Sequence, residues 1–413
     1  MRETELLIPA GSLEVLKTAV AYGADAVYIG GEAFGLRAKA KNFSMPQIRE
    51  GVAFAHRRGV KVYITANILA HDRDLAGVEA YFQELKDVGM DALIIADPGV
   101  FTIARRVLPD VDIHISTQAN NTNAGTFRFW WDLGAKRVVC ARELTLEEIR
   151  KIRQDIPREM EIECFVHGAM CISYSGRCLL SNYLAGRDAN QGACTHPCRW
   201  KYGVVEETRP GEYMPVFENE RGTFLFNSRD LCMIEHVPEL LAAGIDSFKV
   251  EGRMKNALYV ATVARTYRRA IDSCKRDVEQ YRQELKWYRE EILKCTCREY
   301  STGFYFGKPG QEGQIYGEST YQKNYTYLGT VEEVDEKGRC RIEQKNKFSL
   351  GDRIEVMRPD GRDQEVTVRQ IWSQEGEAIE SAPHARQILW VALDAPCGEI
   401  RLGPYDILRR SEA

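Results

Sequence analysis

LLIPAGSLEVLKTAVAYGADAVYIG, residues 6–30, reads as a strand, a turn, an amphipathic helix and a second strand. The runs Leu6–Pro9 and Ala26–Gly30 are apolar, and Ser12 stands where a helix N-cap would accept a free backbone N–H, predicting a helix over Ser12–Tyr22. The same unit recurs up to about residue 275. Further strand-like runs are Val62–Asn67, Ala92–Asp97, Asp112–Gln118, Arg137–Glu143, Ile162–His167 and Ser247–Gly252, with helical patterns such as Leu146–Gln154 between them. Near-continuous apolar strands such as ALIIAD (92–97) suit a parallel sheet covered on both faces. Eight such units predict an α/β fold, a TIM-type (β/α)8 barrel. A doubly wound open sheet is the alternative, weakened because no GxGxxG fingerprint opens the first unit.

Composition narrows the class. The chain has 413 residues, 44% of them apolar and 28% charged, enough for one barrel-sized domain and a smaller one. No run approaches the roughly 18 apolar residues of a membrane span, and MRETELLIPAG lacks a signal-peptide pattern, so a cytoplasmic protein without membrane contact is expected. The net charge of −4 argues against a protein that coats nucleic acid generally, so any RNA contact must be a local patch. Twelve cysteines in a reducing compartment do not read as a disulfide framework; several should be metal ligands or buried small hydrophobes.

The seventh unit is interrupted by a cysteine-rich insertion over 168–246, which also holds an expected hairpin (KYGVVEE at 201–207 against EYMPVFENERGTFLFNS at 212–228). Insertions after a barrel strand sit at the strand's C-terminal face, where active sites are built. Beyond the barrel (1–275) a connector (276–319) opens with an amphipathic helix over Asp277–Cys295, marked by Val278, Tyr281, Leu285, Tyr288 and Ile292. Short alternating strands with turns at DEKG and RPDG then predict a small C-terminal β-barrel over 320–413.

Five cysteines, Cys171, Cys178, Cys194, Cys198 and Cys232, fall within 62 residues of the insertion, among glycines that let the backbone turn tightly. Loop thiolates in this number suit a structural zinc site or a [4Fe–4S] cluster. Only Cys194 and Cys198 form a close pair, and the wide spacing of the rest favours the cluster. Scattered core cysteines are the bland reading. A cysteine nucleophile activated by His167, four residues before Cys171, is another, but leaves the remaining thiols unexplained. Neither HExxH nor GxSxG occurs.

The run ECFVHGAMCISYSGRCLLS (163–181) resembles the defining motif of the peptidase U32 family. The N-terminal segment, HISTQANNTN, NSRDLC, FKVEGRMKN and YSTGFYFG resemble it too, so the likeness runs nearly end to end. Despite the family's name, this resemblance implies oxygen-independent hydroxylation with a [4Fe–4S] cluster. Length and the β-rich C-terminal domain are most similar to members that hydroxylate a tRNA wobble uridine with prephenate as co-substrate. A ribosomal RNA hydroxylase, a collagenase-type peptidase and a non-catalytic RNA-binding subunit are the alternatives. The family's cluster ligands fall on Cys171, Cys178, Cys194 and Cys232, with Cys198 a fifth candidate; tRNA, prephenate and a paralogous U32 subunit are the implied partners.

Strand ends supply the other candidates. Gln118, Glu143, His167 and Glu251 are the polar set expected to work on the substrate. Arg37, Asn67, Arg142 and Arg253 are expected to hold a small anion, because arginines grip carboxylates in a bidentate way and prephenate carries two. Asp97 also ends a strand. For RNA, one basic group comprises Arg265, Arg268, Arg269, Lys275 and Arg276, and a second comprises Lys345, Lys347, Arg353 and Arg358. Such runs are more often solvated surface than binding sites.

Overall fold

The computed structural model describes residues 4–36, 42–200, 203–205, 213–215, 228–309, 313, 315, 321–396 and 400–412. Eight parallel strands close into a barrel: β1 (Glu5–Pro9), β2 (Ala26–Gly30), β3 (Lys61–Ala66), β4 (Ala92–Ile95), β5 (Asp112–Ile115), β6 (Arg137–Val139), β7 (Glu161–Ala169) and β8 (Ser247–Val250). Each pairs with its neighbour in sequence, and β8 pairs with both β7 and β1. That ring excludes the open doubly wound sheet. Helices α1 (Leu13–Ala21), α2 (Met45–His56), α3 (Asp72–Leu85), α4 (Pro98–Val107), α5 (Ala124–Asp132), α6 (Leu146–Asp155), α7 (Val237–Ala242) and α8 (Ala257–Arg276) cover the outside. Ser12 caps α1 by accepting from the Val15 amide, and Asp97 caps α4 by accepting from Gly99 and Val100.

Most of the apolar core lies between strands and helices, while Leu7, Ala26, Tyr28, Tyr63, Ala92 and Ile94 form a separate cluster inside the ring. Below the mouth the interior is ionic. Arg137 bonds Glu5 at 2.5 Å, Glu161 at 2.6 Å and Glu163 at 3.0 Å, and Lys249 reaches Glu163 at 2.6 Å. Tyr63 and Ser247 donate their hydroxyls to Glu5.

The connector helix expected over Asp277–Cys295 is two helices, α9 (Val278–Gln283) and α10 (Leu285–Ile292). The break falls at Glu284, whose carboxylate accepts from Arg269 and Tyr288 and ties the bend to α8. In the C-terminal domain six antiparallel strands, β9 (Tyr325–Val334), β10 (Cys340–Glu343), β11 (Arg353–Met357), β12 (Gln364–Trp372), β13 (Ile388–Asp394) and β14 (Ile407–Ser411), close through the β11–β12 pairing into a small barrel with its own core.

The two barrels are docked by buried charge. Arg409, fully buried, meets Glu291 at 3.0 Å, Glu355 at 2.8 Å and Asp363 at 3.3 Å, and Arg265 bonds Asp363 and Glu291. Tyr22 donates to the carbonyls of Met357 and Tyr405. Four members of the basic runs expected to meet RNA are engaged within the protein instead. Arg265 is buried, Arg268 binds Asp25 and Asp272, Arg269 binds Glu284 and stacks on Trp287, and Lys345 binds Glu14 and Glu343. Their charges are spent between domains and helices.

Burial alone would raise the Glu291 carboxyl, yet the Arg409 and Arg265 charges hold it below the ordinary glutamate value. Arg409→Ala should therefore cost about 3–5 kcal/mol, because it leaves Arg265 and Lys294 alone to offset the three interface carboxylates Glu291, Glu355 and Asp363. Thermal unfolding should show the C-terminal domain melting ahead of the barrel; an unchanged single transition would contradict this.

Candidate functional site

The described stretch 170–200 of the insertion is anchored to the loops that follow β5 and β3 at the barrel mouth. After β5, Ser116 caps a single helical turn by accepting from the Gln118 amide, and Asn120 follows with left-handed φ of 57°. The Asn120 amide donates to the carbonyls of Gln118 (2.9 Å) and Ser175 (2.6 Å). Gly176 sits so close that a Cβ would stand 3.0 Å from the Gln118 carbonyl oxygen and 3.0 Å from its side-chain oxygen, and its φ of +74° disfavours any other residue. The loop between Cys171 and Cys178 is thus clamped to the β5 end. A second anchor comes from the loop after β3, where Leu69 donates its amide to the Asn190 carbonyl, and Asn190 in turn donates to the Cys178 carbonyl.

Gly176→Ala should loosen this clamp without touching a thiol. Alkylation of Cys171 and Cys178 in the apo protein should quicken several-fold in the variant, while Asn120→Ala should do the same by removing both amide bonds. Equal alkylation rates in variants and wild type would show that the loop is held by something else.

The cysteines separate into two kinds. Cys140, Cys164, Cys274, Cys295, Cys297 and Cys340 are buried, whereas Cys171 and Cys194 are exposed and Cys178 and Cys198 half-buried. Burial pushes the Cys198 thiol up, Arg199 opposes it, and the neighbouring Cys171, Cys194 and Cys178 thiols push it further up. Cys232 stands elsewhere, on a short strand (Asp230–Cys232) that returns from the insertion antiparallel to β7 and pairs Cys232 with His167. Its sulfur lies 3.9 Å from the Tyr267 hydroxyl, and burial pushes its thiol up to about 12.

The donor chemistry of the first four suits an iron–sulfur cluster: soft thiols on loops of one insertion. As placed, no group of three or more His, Cys, Asp or Glu side chains among the described residues is close enough to hold a metal ion.

The other candidates fall into three groups. Arg142 donates to the Ala169 carbonyl at 3.2 Å, lies 3.7 Å from Glu251, and stacks 4.1 Å over the Phe165 ring; its buried Nε has no hydrogen-bond partner. Glu143 is half-buried beside it, and burial raises its carboxyl. Across the mouth, Arg253 donates to the Thr65 hydroxyl at 2.7 Å and lies over Gly30, where a Cβ would strike its guanidinium. Asn67 links the Leu36 amide to Ser116 and so to the Gln118 turn.

His167 is not brought to the mouth. Lys249 pairs with Phe165 but Val250 with His167, so Val166 is an extra residue that reverses the alternation. The ring therefore faces the helix layer, among Tyr259, Tyr267 and Tyr300, and burial lowers its pKa to about 3. Its Nε2 has no hydrogen-bond partner and its Nδ1 meets the Tyr267 hydroxyl at 3.5 Å, so neither nitrogen is paired with a thiol among the described residues. Arg37 lies outside the described residues. Sequence reading missed Asn120, Ser116 and Thr65; the first had a signal, since Asn is the residue after Gly most tolerant of left-handed φ.

Two family models account for both barrels: one described as peptidase family U32 matches residues 11–315, and its C-terminal domain matches 323–409. The chain is 40% identical to tRNA hydroxylation protein P1 of Bacillus subtilis, covering 100% of this chain and 96% of that protein. It is 38% identical to tRNA hydroxylation protein P of Escherichia coli, covering 95% and 94%. A 23S rRNA 5-hydroxycytidine synthase of E. coli is 38% identical over 65% of this chain and 39% of its own length. No helix among the described residues is long and apolar enough to cross a membrane. With matches spanning the barrel, its cysteine insertion and the appended β-domain, the chain belongs to peptidase family U32.

Proposed function

We propose that the protein is a tRNA hydroxylase that converts C5–H of a wobble uridine to C5–OH, using a [4Fe–4S] cluster and prephenate. The observation that carries this reading is end-to-end similarity, over both domains, to two proteins named for tRNA hydroxylation. Hydroxylation at C5 removes two electrons from a position with no leaving group, so acid–base side chains alone do not suffice and a redox group is required. Cys171, Cys178 and Cys194 would hold the cluster, with the fourth thiol from Cys198 or Cys232; when bound it supplies one-electron chemistry. The Gln118–Asn120 turn keeps the cysteine loop over the mouth, and Arg142, Arg253 and Arg37 would take the carboxylates of prephenate. A peptidase using Cys171 finds no support in the site, because the His167 ring is turned to the tyrosine layer.

Calorimetry with prephenate on purified protein tests the small-molecule part. Arg142→Ala and Arg253→Ala should each lose roughly 1.5–3 kcal/mol of binding, the worth of a charge-assisted pair. Glu251→Gln should bind more tightly, since it releases Arg142 from its 3.7 Å neighbour. Unchanged affinity in the Arg142, Arg253 and Arg37 variants would require prephenate to be withdrawn.

A further inference from the structure

Large apolar side chains are exposed in one place above all others. Tyr174 (48% exposed), Leu179 (68%), Tyr183 (85%), Leu184 (41%) and Trp200 (46%) all lie in the cysteine insertion. Tyr174 sits between Cys171 and Cys178, on the loop that Asn120 clamps. Tyr183 projects from a short helix, Leu180–Ala185, fastened by the hydrogen bond between Ser181 and Thr195. Trp200 follows Cys198 by two residues. The exposed aromatics thus share with the four cysteines the stretch 171–200, which Asn120 ties to the end of β5.

The stretch that carries them is net positive. Residues 171–200 contain Arg177, Arg187 and Arg199 against Asp188 alone, three minus one giving +2 in a chain whose net charge is −4. Asp188 is occupied in capping, accepting from the Asn190 amide. Arg177 and Arg187 have no carboxylate partner among the described residues, unlike Arg265, Arg268 and Arg269 of α8, which are ion-paired.

We propose that this rim is where the unpaired bases of an RNA loop stack: Tyr174, Tyr183 and Trp200 take the base faces, and Arg177 and Arg187 take the flanking phosphates. The inference rests on the tRNA reading above and adds the surface that presents the base to the mouth. A protein partner would be served by a continuous apolar patch with charge depleted at its centre. Aromatic faces interleaved with unpaired arginines instead match single-stranded nucleic acid, since every base offers a π-face and every linkage a negative charge. A paired A-form stem cannot use such a rim, because its bases stay stacked within the helix.

The test uses full-length protein, a fluorescently labelled anticodon stem–loop RNA and a fully paired RNA duplex, with anisotropy read at matched salt. Tyr183→Ala, whose side chain is the most exposed of the set, and Tyr174→Ala should each weaken stem–loop binding about tenfold and leave duplex binding unchanged. Arg177→Gln and Arg187→Gln should each lower the salt dependence of stem–loop binding by about one phosphate contact. Circular dichroism and cysteine alkylation rates confirm that each variant keeps its fold and its loop. A Tyr174→Ala/Tyr183→Ala double variant that binds the stem–loop as the wild type does overturns the inference. So does wild-type protein that holds loop and duplex equally. Rim variants that change sedimentation but not RNA binding would make the rim a protein interface and overturn it as well. Failure of hydroxylation, with loop binding still lost in the tyrosine variants, would strike the proposed reaction and leave the rim standing.

Discussion

Arg137→Ala is expected to cost the protein about 3–5 kcal/mol, the penalty for leaving buried carboxylates without their counter-charge. Arg137 stands inside the barrel with only 4% of its side chain exposed, between Glu5 on β1 and Glu161 and Glu163 on β7. Glu163 is completely buried, and without Arg137 only Lys249 would face two interior carboxylates. Burial would raise the Glu5 carboxyl, but the Arg137 charge and the bonds from Arg137, Tyr63 and Ser247 hold it below the ordinary glutamate value. That depression fixes the sign of the pH effect. In the wild type this stabilisation is present above about pH 4.3 and is lost as the pH falls through the depressed folded value. In the variant, burial acts unopposed by Arg137, the folded value rises above the ordinary glutamate value, and stability should increase as the pH falls through that raised value. Denaturant unfolding of both proteins between about pH 4 and 7 checks this. A variant within 1 kcal/mol of wild type, with the same pH slope, would mean that water already shields the interior charges.

Loss of a cluster cysteine should be all or none. Protein purified without oxygen is expected to be brown, with about four iron and four sulfide per chain. Ala at Cys171, Cys178 or Cys194 should bleach it, because a cluster missing one thiolate from an exposed loop is open to solvent and hydrolysis. Between Cys198 and Cys232 one substitution should bleach and the other should not, which identifies the fourth ligand. Cys198 shares the loop of Cys194, four residues away in the chain, and family resemblance points to Cys232, so both single variants are needed. Colourless wild-type protein with one tightly held zinc would overturn the cluster.

The barrel was legible because its units are local. Ala26–Gly30 is the same strand in sequence and structure, and Ser12 caps the helix it was expected to cap. Errors lie where distant chain segments decide. Ala141–Glu143 were read as part of the sixth strand, but β6 ends at Val139, and the mouth loop begins there. His167 was read as a mouth residue from its place at a strand end. One extra residue opposite Val250 turned it outward, and a bulge set by pairing leaves no trace in local periodicity. The basic run after residue 264 was legible as charge but not as function, since its partners Asp363 and Glu291 lie 98 and 26 residues away from Arg265. The exposed aromatics show the opposite case. Their residue types were plain in the sequence, yet only the structure shows them unburied.

The central claim is tested most directly by mass spectrometry of tRNA nucleosides. A strain deleted for this gene and for any paralogue should lack 5-hydroxyuridine and its derivatives in tRNA. The wild-type gene should restore them, and the Cys171→Ala gene, expressed to the same level, should not. Undiminished 5-hydroxyuridine in the deletion strain, or full restoration by the Cys171→Ala gene, would contradict the account.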